Sequence, residues 1–393
     1  MTNGMGSSAS TGDQAAGEST AIDLAAGQPE LAGSDEQRTR LIESYVNLVG
    51  RGEIYYPVQY RFVRELGRGR QGIVFLALRH GARGCVTRHA IKVFDPSIYP
   101  DAPSYWTDMG RIASQTSSMQ TIQSPHLVDL DSYDEVDGIG FTQEEVINGI
   151  DLDQLTAGVH LDRVRTRFAV REWARLSDVL FRPQDDHLRI QPGIAIYIMR
   201  MVLRGLETLH KKGFVHGDIK PSNIMVDRVG TVQVVDFGRA ARANERTRIL
   251  FGSPLYMAPE VHRREPTQVH SDIFSIGLVG IVLLSGKKTV FRHVMSEQDL
   301  LEFKLTLASR LGTLLPPYVL ENHKLVALLQ RFVAPNVKDR FPDAQTAESD
   351  AQGLRMVHKQ LTLSGKDSDY GREISTYVSA VNLDFWDTVT IQF

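Results

Sequence analysis

Apolar residues alternate in short runs through the first half of the chain and shift to helical spacing in the second. Residues 58–66, 72–78 and 88–94 are rich in β-branched and aromatic side chains, and each predicts a strand. Residues 127–136 and 139–146 repeat that composition, and Asp137-Gly138 between them predicts a two-residue hairpin turn. A helical stretch over 105–122 interrupts the strands. Beyond Gly149 the period changes. Residues 193–211 are amphipathic at helical spacing, and 273–285 are apolar nearly all round, as in a helix buried on every side. Short strands are expected over 223–226 and 232–235. A β-rich lobe followed by a helical lobe predicts an α+β, two-lobed fold with a cleft between the lobes. No internal repeat is visible.

The flanks differ from this body. Residues 1–34 are rich in Gly, Ser, Ala and Thr and poor in large apolar side chains, so a disordered tail is expected. Residues 35–57 read as a helical lead-in, capped by Ser34 or Asp35, with Leu41, Tyr45 and Leu48 on one face. Residues 353–393 form a C-terminal extension carrying Tyr377, Phe385, Trp386 and Phe393, too apolar for a pure linker and expected to dock back on the main body. The stretch 149–193 holds Arg163, Arg165, Arg167, Arg171 and Arg175 with Trp173. It reads as a solvated helix with a buried Trp, the alternative being an insert that docks a partner.

Bulk properties narrow the function. With 393 residues and a formal net charge of -3, nothing draws the chain to nucleic acid or to an anionic membrane. The single cysteine, Cys85, rules out an intramolecular disulfide and suits a reducing, cytoplasmic setting. No Lys or Arg precedes Arg38 and no apolar core follows the first Met, so no secretory signal is expected. The most apolar run, 273–285, is shorter than the roughly 20 residues a membrane span needs.

Three constellations carry chemistry. Gly67-x-Gly69-x-x-Gly72-x-Val74 joins the first two strands; its glycines suit a plain tight hairpin or a backbone that approaches phosphate oxygens. A strand follows it, so it is not a dinucleotide fingerprint. Lys92, in an apolar strand after this loop, must snorkel as a plain edge-strand lysine or find an anion, and its place after the Gly loop favours the α/β-phosphates of a nucleotide. The second is HGDIKPSNI, 216–224. There Asp218 can accept a hydrogen bond from an incoming hydroxyl, Lys220 can neutralise a moving phosphoryl group, and Asn223 can give a neutral oxygen to Mg²⁺. The third is Asp236-Phe237-Gly238, a strand-end carboxylate suited to bridging Mg²⁺ to phosphates.

HGDIKPSNI resembles the catalytic loop of eukaryotic-type protein kinases, whose pattern is H-R-D-L-x-x-x-N. Asp236-Phe237-Gly238 follows at the family's distance, and Gly252-Ser-Pro-Leu-Tyr-Met-Ala258-Pro259-Glu260 matches its G-T/S-x-x-Y-x-A-P-E segment. The chain is therefore identified as a member of the serine/threonine protein kinase family, with the resemblance covering residues 58–352, taken as the kinase domain. The resemblance implies a two-lobed protein kinase fold and transfer from Mg-ATP to Ser/Thr hydroxyls of protein substrates, itself included. It implies catalytic roles for Asp218, Lys220 and Lys92. ATP would lie against Gly67, Gly69, Gly72, Val74, Ala90, Lys92 and Met225, with Mg²⁺ on Asn223 and Asp236. Val74, Ala90 and Met225 would sandwich the adenine, and the hinge would fall near 145–148. Asp272 would hold the catalytic-loop backbone, Arg340 would pair with Glu260, and His216 and Phe237 would join the apolar column between the lobes. Lys220 and Gly252-Ser253-Pro254 fit the serine/threonine branch. A small-molecule phosphotransferase would usually lack the A-P-E segment.

The pattern breaks in two places. The family's helix Glu, the partner of the strand Lys, is missing: the stretch 93–123 contains no Glu. Counting back from Ser124-Pro125-His126-Leu127 puts Gln115 at that position, with Asp108 two turns earlier and Met119 placed for the apolar column. Gln115 is expected to accept a hydrogen bond from Lys92, or Asp108 or another acid to replace the Glu. Gly217 stands where the family has the Arg that contacts a phosphorylated loop residue, so activity independent of phosphorylation at Thr247 or Ser253 is expected. The missing acid also raises the alternative of a pseudokinase acting as an ATP-binding scaffold. Arg239, Arg242, Arg246 and Arg248 read as keeping an exposed loop solvated, with an acidic partner as the alternative.

Overall fold

The computed structural model describes residues 35–56, 58–158, 160–184, 187–244, 254–294, 296–363 and 369–381. Thr247, Ser253, Arg246, Arg248, Phe385, Trp386, Phe393 and the tail 1–34 lie outside the described residues.

Strands β1 (Glu53–Tyr56), β2 (Val58–Gly69), β3 (Gly72–His80), β4 (Val86–Phe94), β5 (Leu130–Val136) and β6 (Ile139–Glu144) form one antiparallel sheet in the order β1-β2-β3-β4-β6-β5. Each strand of the expected set is present. β1 is an addition, four residues that extend the sheet edge by pairing with β2. Asp137 and Gly138 both have positive φ, 52° and 78°, as the hairpin turn between β5 and β6 requires.

Two helices cover this sheet. Helix α2 (Ala102–Met119) starts where the Asp101 carboxylate accepts from Ser104 N at 2.7 Å, and it buries Tyr105, Met109 and Ile112. Helix α1 (Asp35–Arg51) buries Leu41, Tyr45 and Leu48 in the same small core, and Arg38 donates to the Tyr99 carbonyl at 3.1 Å.

The second lobe is helical. Helix Pro192–Lys211 packs on helix Val269–Ser285, whose residues are buried from Ser271 to Ser285. A helix apolar all round can only sit at the centre of its lobe, and this one does. No helix among the described residues is long and apolar enough to cross a membrane.

The 149–193 stretch is more than one solvated helix. It forms a short strand, three helices and a hairpin, and Trp173 is only partly buried, against Phe168. Its arginines clamp the chain's own C-terminal helix, Tyr370–Val381. Arg163 donates to the Val381 carbonyl at 3.0 Å, Arg167 to Ala380, and Arg175 to both oxygens of Glu373 at 2.6 and 3.1 Å. Tyr377 is buried edge-on against Phe181, with ring centroids 4.9 Å apart. Helix Tyr370–Val381 of the extension thus docks back, and the insert supplies its seat.

One buried cation makes stability pH-sensitive. Lys304, in helix Glu297–Leu314, is fully buried, and burial pushes its ammonium down to about 7. It donates to the Pro254 carbonyl at 2.6 Å. Because its folded-state value lies below the unfolded value of about 10.4, its burial cost is complete below pH 7 and shrinks as pH rises through that window. The stability of Lys304→Met relative to wild type is therefore expected to fall steadily from about pH 7 to pH 10. Urea titrations across that range check this, and a pH-independent difference would contradict it.

Candidate active site

The cleft between the lobes has a volume of about 590 Å³. Gly67, Gly69, Val74, Ala90, Lys92, Met225, Lys220, Asn223 and Asp236 line it, joined on the hinge side by Glu144, Glu145 and Ile147. Two residues of the expected set stand back from its wall. A Cβ on Gly72 would fall 1.9 Å from the Val93 carbonyl oxygen, and its φ is +148°, so this glycine serves the close approach of β3 to β4. A Cβ on Gly67 or Gly69 would meet nothing within 4 Å, which leaves room above the cleft for a phosphate chain.

Asp218 is the second: it stands behind the lining residues Lys220 and Asn223, 9% exposed. Its Oδ2 accepts from Lys220 Nζ at 2.6 Å and from Asn223 Nδ2 at 3.1 Å. Asn223 Nδ2 also donates to the Asp218 carbonyl at 2.9 Å, which fixes the Asn223 carbonyl oxygen as its ligand-type atom. The loop backbone hangs from Asp272. That carboxylate accepts from His216 N at 2.8 Å and Gly217 N at 2.9 Å, and pairs with His210 at 2.9 Å. Burial opposes its charge, but these donors outweigh burial and hold its pKa below the usual carboxylate value.

Gly217 has φ +73°, in the left-handed region, and a Cβ there would come within 3.2 Å of the Arg239 carbonyl oxygen. His216 is buried, and desolvation lowers its pKa. Its ring lies 5.2 Å from that of Phe237, and Met119 and Phe237 border a small inner cavity with Lys92.

Asp236 is held in a strained backbone conformation, φ +65°, by the N–H of Gly238 at 3.2 Å and by Lys92. Burial alone would raise its pKa. The ammonium of Lys92 overrides this and holds the carboxyl well below the usual range.

Helix α2 answers the question of the missing acid differently from the expectation. Gln115 does not reach Lys92: its Oε1 accepts from Arg111 Nη1 at 2.6 Å. Asp108 is also committed, to Arg111 Nε at 2.6 Å and to the Tyr99 hydroxyl at 2.6 Å. Arg111 passes on from these two partners to the carbonyls of Gly238, at 2.9 Å, and Ala240, at 3.1 Å. The helix is thus tied to the segment after Asp236 through arginine. Lys92 instead bonds Asp236 and, at 3.2 Å, Gln71 Oε1.

Two residues escaped sequence reasoning. Arg239, expected on an exposed loop, is 9% exposed; its Nη1 lies 3.6 Å from Asp218 Oδ1, and that atom has no hydrogen-bond partner among the described residues. Asp218 therefore faces a cation on each oxygen. Glu144, at the end of β6, reaches the cleft beside Ala90. Its position just before the hinge was the available signal. Arg242 stays on the surface, over the Phe214 ring.

The arrangement matches known proteins. The protein kinase domain family model covers residues 60–350. The probable serine/threonine-protein kinase pknA2 of Bifidobacterium longum is 28% identical over 249 residues, which is 60% of this chain and 29% of that protein. The probable serine/threonine-protein kinase PknB of Lactococcus lactis is 26% identical over 298 residues, 74% of this chain and 41% of that protein. The match thus spans less than half the length of these relatives. A mutant form of the Mycobacterium tuberculosis PknI kinase domain superposes with a TM-score of 0.51 at 20% identity, covering 77% of this chain and 94% of that one, a likeness of fold alone. A β-sheet lobe over a helical lobe, the three motifs meeting in the cleft and a family match across most of its length together show that this chain belongs to the protein kinase domain family.

Proposed function

We propose that the chain is a serine/threonine protein kinase that transfers the γ-phosphoryl group of Mg-ATP to hydroxyls of protein substrates, itself among them. The observation that carries this reading is the convergence of Lys92, Lys220, Asn223 and Asp236 on one cleft, with Asp218 bonded to Lys220 and Asn223 just behind its wall. Val74, Ala90 and Met225 offer apolar walls for an adenine ring. Lys92 orients the α/β-phosphates. Asp218 accepts the hydrogen bond of the acceptor hydroxyl and aims its oxygen at phosphorus, and Lys220 offsets charge on the moving group.

One carboxylate and one amide oxygen, from Asp236 and Asn223, fit Mg²⁺, which takes few protein ligands and completes its shell with phosphate and water. When bound, the ion neutralises charge developing on the phosphate oxygens. Lys92 bonds one oxygen of the Asp236 carboxylate, so the ion and the lysine would share that group.

Transfer of labelled phosphate from Mg-ATP to the chain itself and to generic proteins, followed by phosphosite mapping, tests this reading. Transfer to Ser or Thr is expected. ATP binding without transfer would instead support a pseudokinase scaffold, which the contacts of Lys92 with Asp236 and of Arg239 with Asp218 favour. Because Gly217 offers no side chain to a phosphorylated loop residue, Thr247→Ala is expected to keep turnover within about twofold of wild type, there being no arginine–phosphate pair for it to lose. Loss of activity in a folded Thr247→Ala protein would contradict this.

A further inference from the structure

We propose that Glu144 is the positioning acid for Lys92, doing from strand β6 what a helix glutamate does in the family's usual arrangement. This rests on the reading that Lys92 holds the nucleotide phosphates. In the sheet register Lys92 lies opposite Thr142 and Ala90 opposite Glu144. Lys92 and Glu144 are therefore diagonal neighbours on one face of adjacent strands, a spacing that long side chains bridge. Both border the same inner cavity, together with Gln115, Thr142 and Phe237. Among the described residues, Lys92 is the one basic side chain on that cavity's wall. Thr142 donates to Glu144 Oε1 at 3.1 Å, which holds the carboxylate on this face.

The two candidates on helix α2 are excluded by their own partners. Asp108 is taken by Arg111 and Tyr99, and Gln115 is neutral and bound to Arg111. Asp236, the present partner of Lys92, is the carboxylate that Mg²⁺ would claim. With that carboxylate shared, Glu144, the one acid on the inner cavity's wall among the described residues, is placed to hold the ammonium in line. Burial drives the Glu144 pKa up to about 7, and Lys92 is the main influence pulling it down.

The test is a double-mutant cycle on the full chain, reading the Kd for Mg-ATP by calorimetry. Glu144→Gln is expected to weaken binding roughly 5- to 20-fold, as coupled charged neighbours do. In the Lys92→Met background the same exchange is expected to cost nothing further. Glu144→Asp should lose less than Glu144→Gln, and it replaces that variant in the cycle if thermal melting shows the latter unfolded. An unchanged Kd in folded Glu144→Gln would overturn the inference. So would a loss that persists in the Lys92→Met background, since Glu144 would then act on the base or through packing. If Lys92→Met alone left the Kd unchanged, the phosphate-binding reading of Lys92 would fall, and this inference with it. A weakened Lys92→Met beside an unaffected Glu144→Gln would sink only the present inference.

Discussion

Exchanging Asp218 for Asn is expected to lower kcat by about 10²- to 10⁴-fold, the range that a positioned proton acceptor contributes. The Kd for Mg-ATP should stay within about threefold of wild type, because uniform binding of the nucleotide does not depend on a group that acts in the transition state. The geometry makes the exchange nearly isosteric. Asn keeps one oxygen to accept from Lys220 or Asn223, so the loop that Asp272 suspends stays in place. What disappears is the negative charge between Lys220 and Arg239, together with the acceptor for a hydroxyl proton. Steady-state phosphorylation assays with parallel calorimetry check the prediction. Turnover close to wild type would remove Asp218 from the chemistry, whereas a large loss of ATP affinity would mean that the exchange had disturbed the whole cleft.

Arg340→Ala is expected to destabilise the fold by about 3–5 kcal/mol, the cost of stranding one partner of a buried ion pair. Arg340 and Glu260 meet through two bonds, at 2.8 and 2.9 Å, with side chains 0% and 3% exposed. Arg340 also donates to the carbonyls of Ala334, His270 and Pro335, and Ser271 donates to Glu260. Every charge in this knot is satisfied, so removing the guanidinium leaves a buried carboxylate with Ser271 as its remaining side-chain donor and takes a donor from three carbonyls. Replacing both partners with apolar residues should recover part of the loss, because the stranded charge goes while the carbonyls still lack the arginine donor. Urea unfolding measures each step. Arg40→Ala is the control: its pair with Glu36 is 74% and 71% exposed and should contribute nothing measurable. Equal losses at the two arginines would refute the argument from burial.

The legible features share a cause. Strands β2 to β6 and helix 269–285 announce themselves because periodicity and turn chemistry are local properties. Asp218, Lys220 and Asn223 were readable because a single loop carries them. Asp272 and the Arg340–Glu260 pair also stand where the motifs put them, since fixed motifs imply fixed partners. The failures concern contacts between distant segments. Gln115 held the expected position on helix α2 and still turned to Arg111, because a strong donor four residues away on its own helix competes for its oxygen. Arg239 looked like one basic residue among several, and only packing shows that it points inward. The arginines of the 149–193 stretch carried no sign that their partner was a helix some two hundred residues later.

Sequence by itself determined the two-lobed architecture, the order of the motifs and the residues that carry charge into the cleft. These follow from side-chain period and from loops whose backbone requirements are local. Tertiary structure alone decided which charge faces which: Lys92 toward Asp236, 144 residues away, Arg239 toward Asp218, Glu144 toward the cavity behind Lys92. Pairing of that kind depends on distance through space in a medium of low dielectric, where a displacement of one side chain changes the partner. No spacing along the chain encodes it.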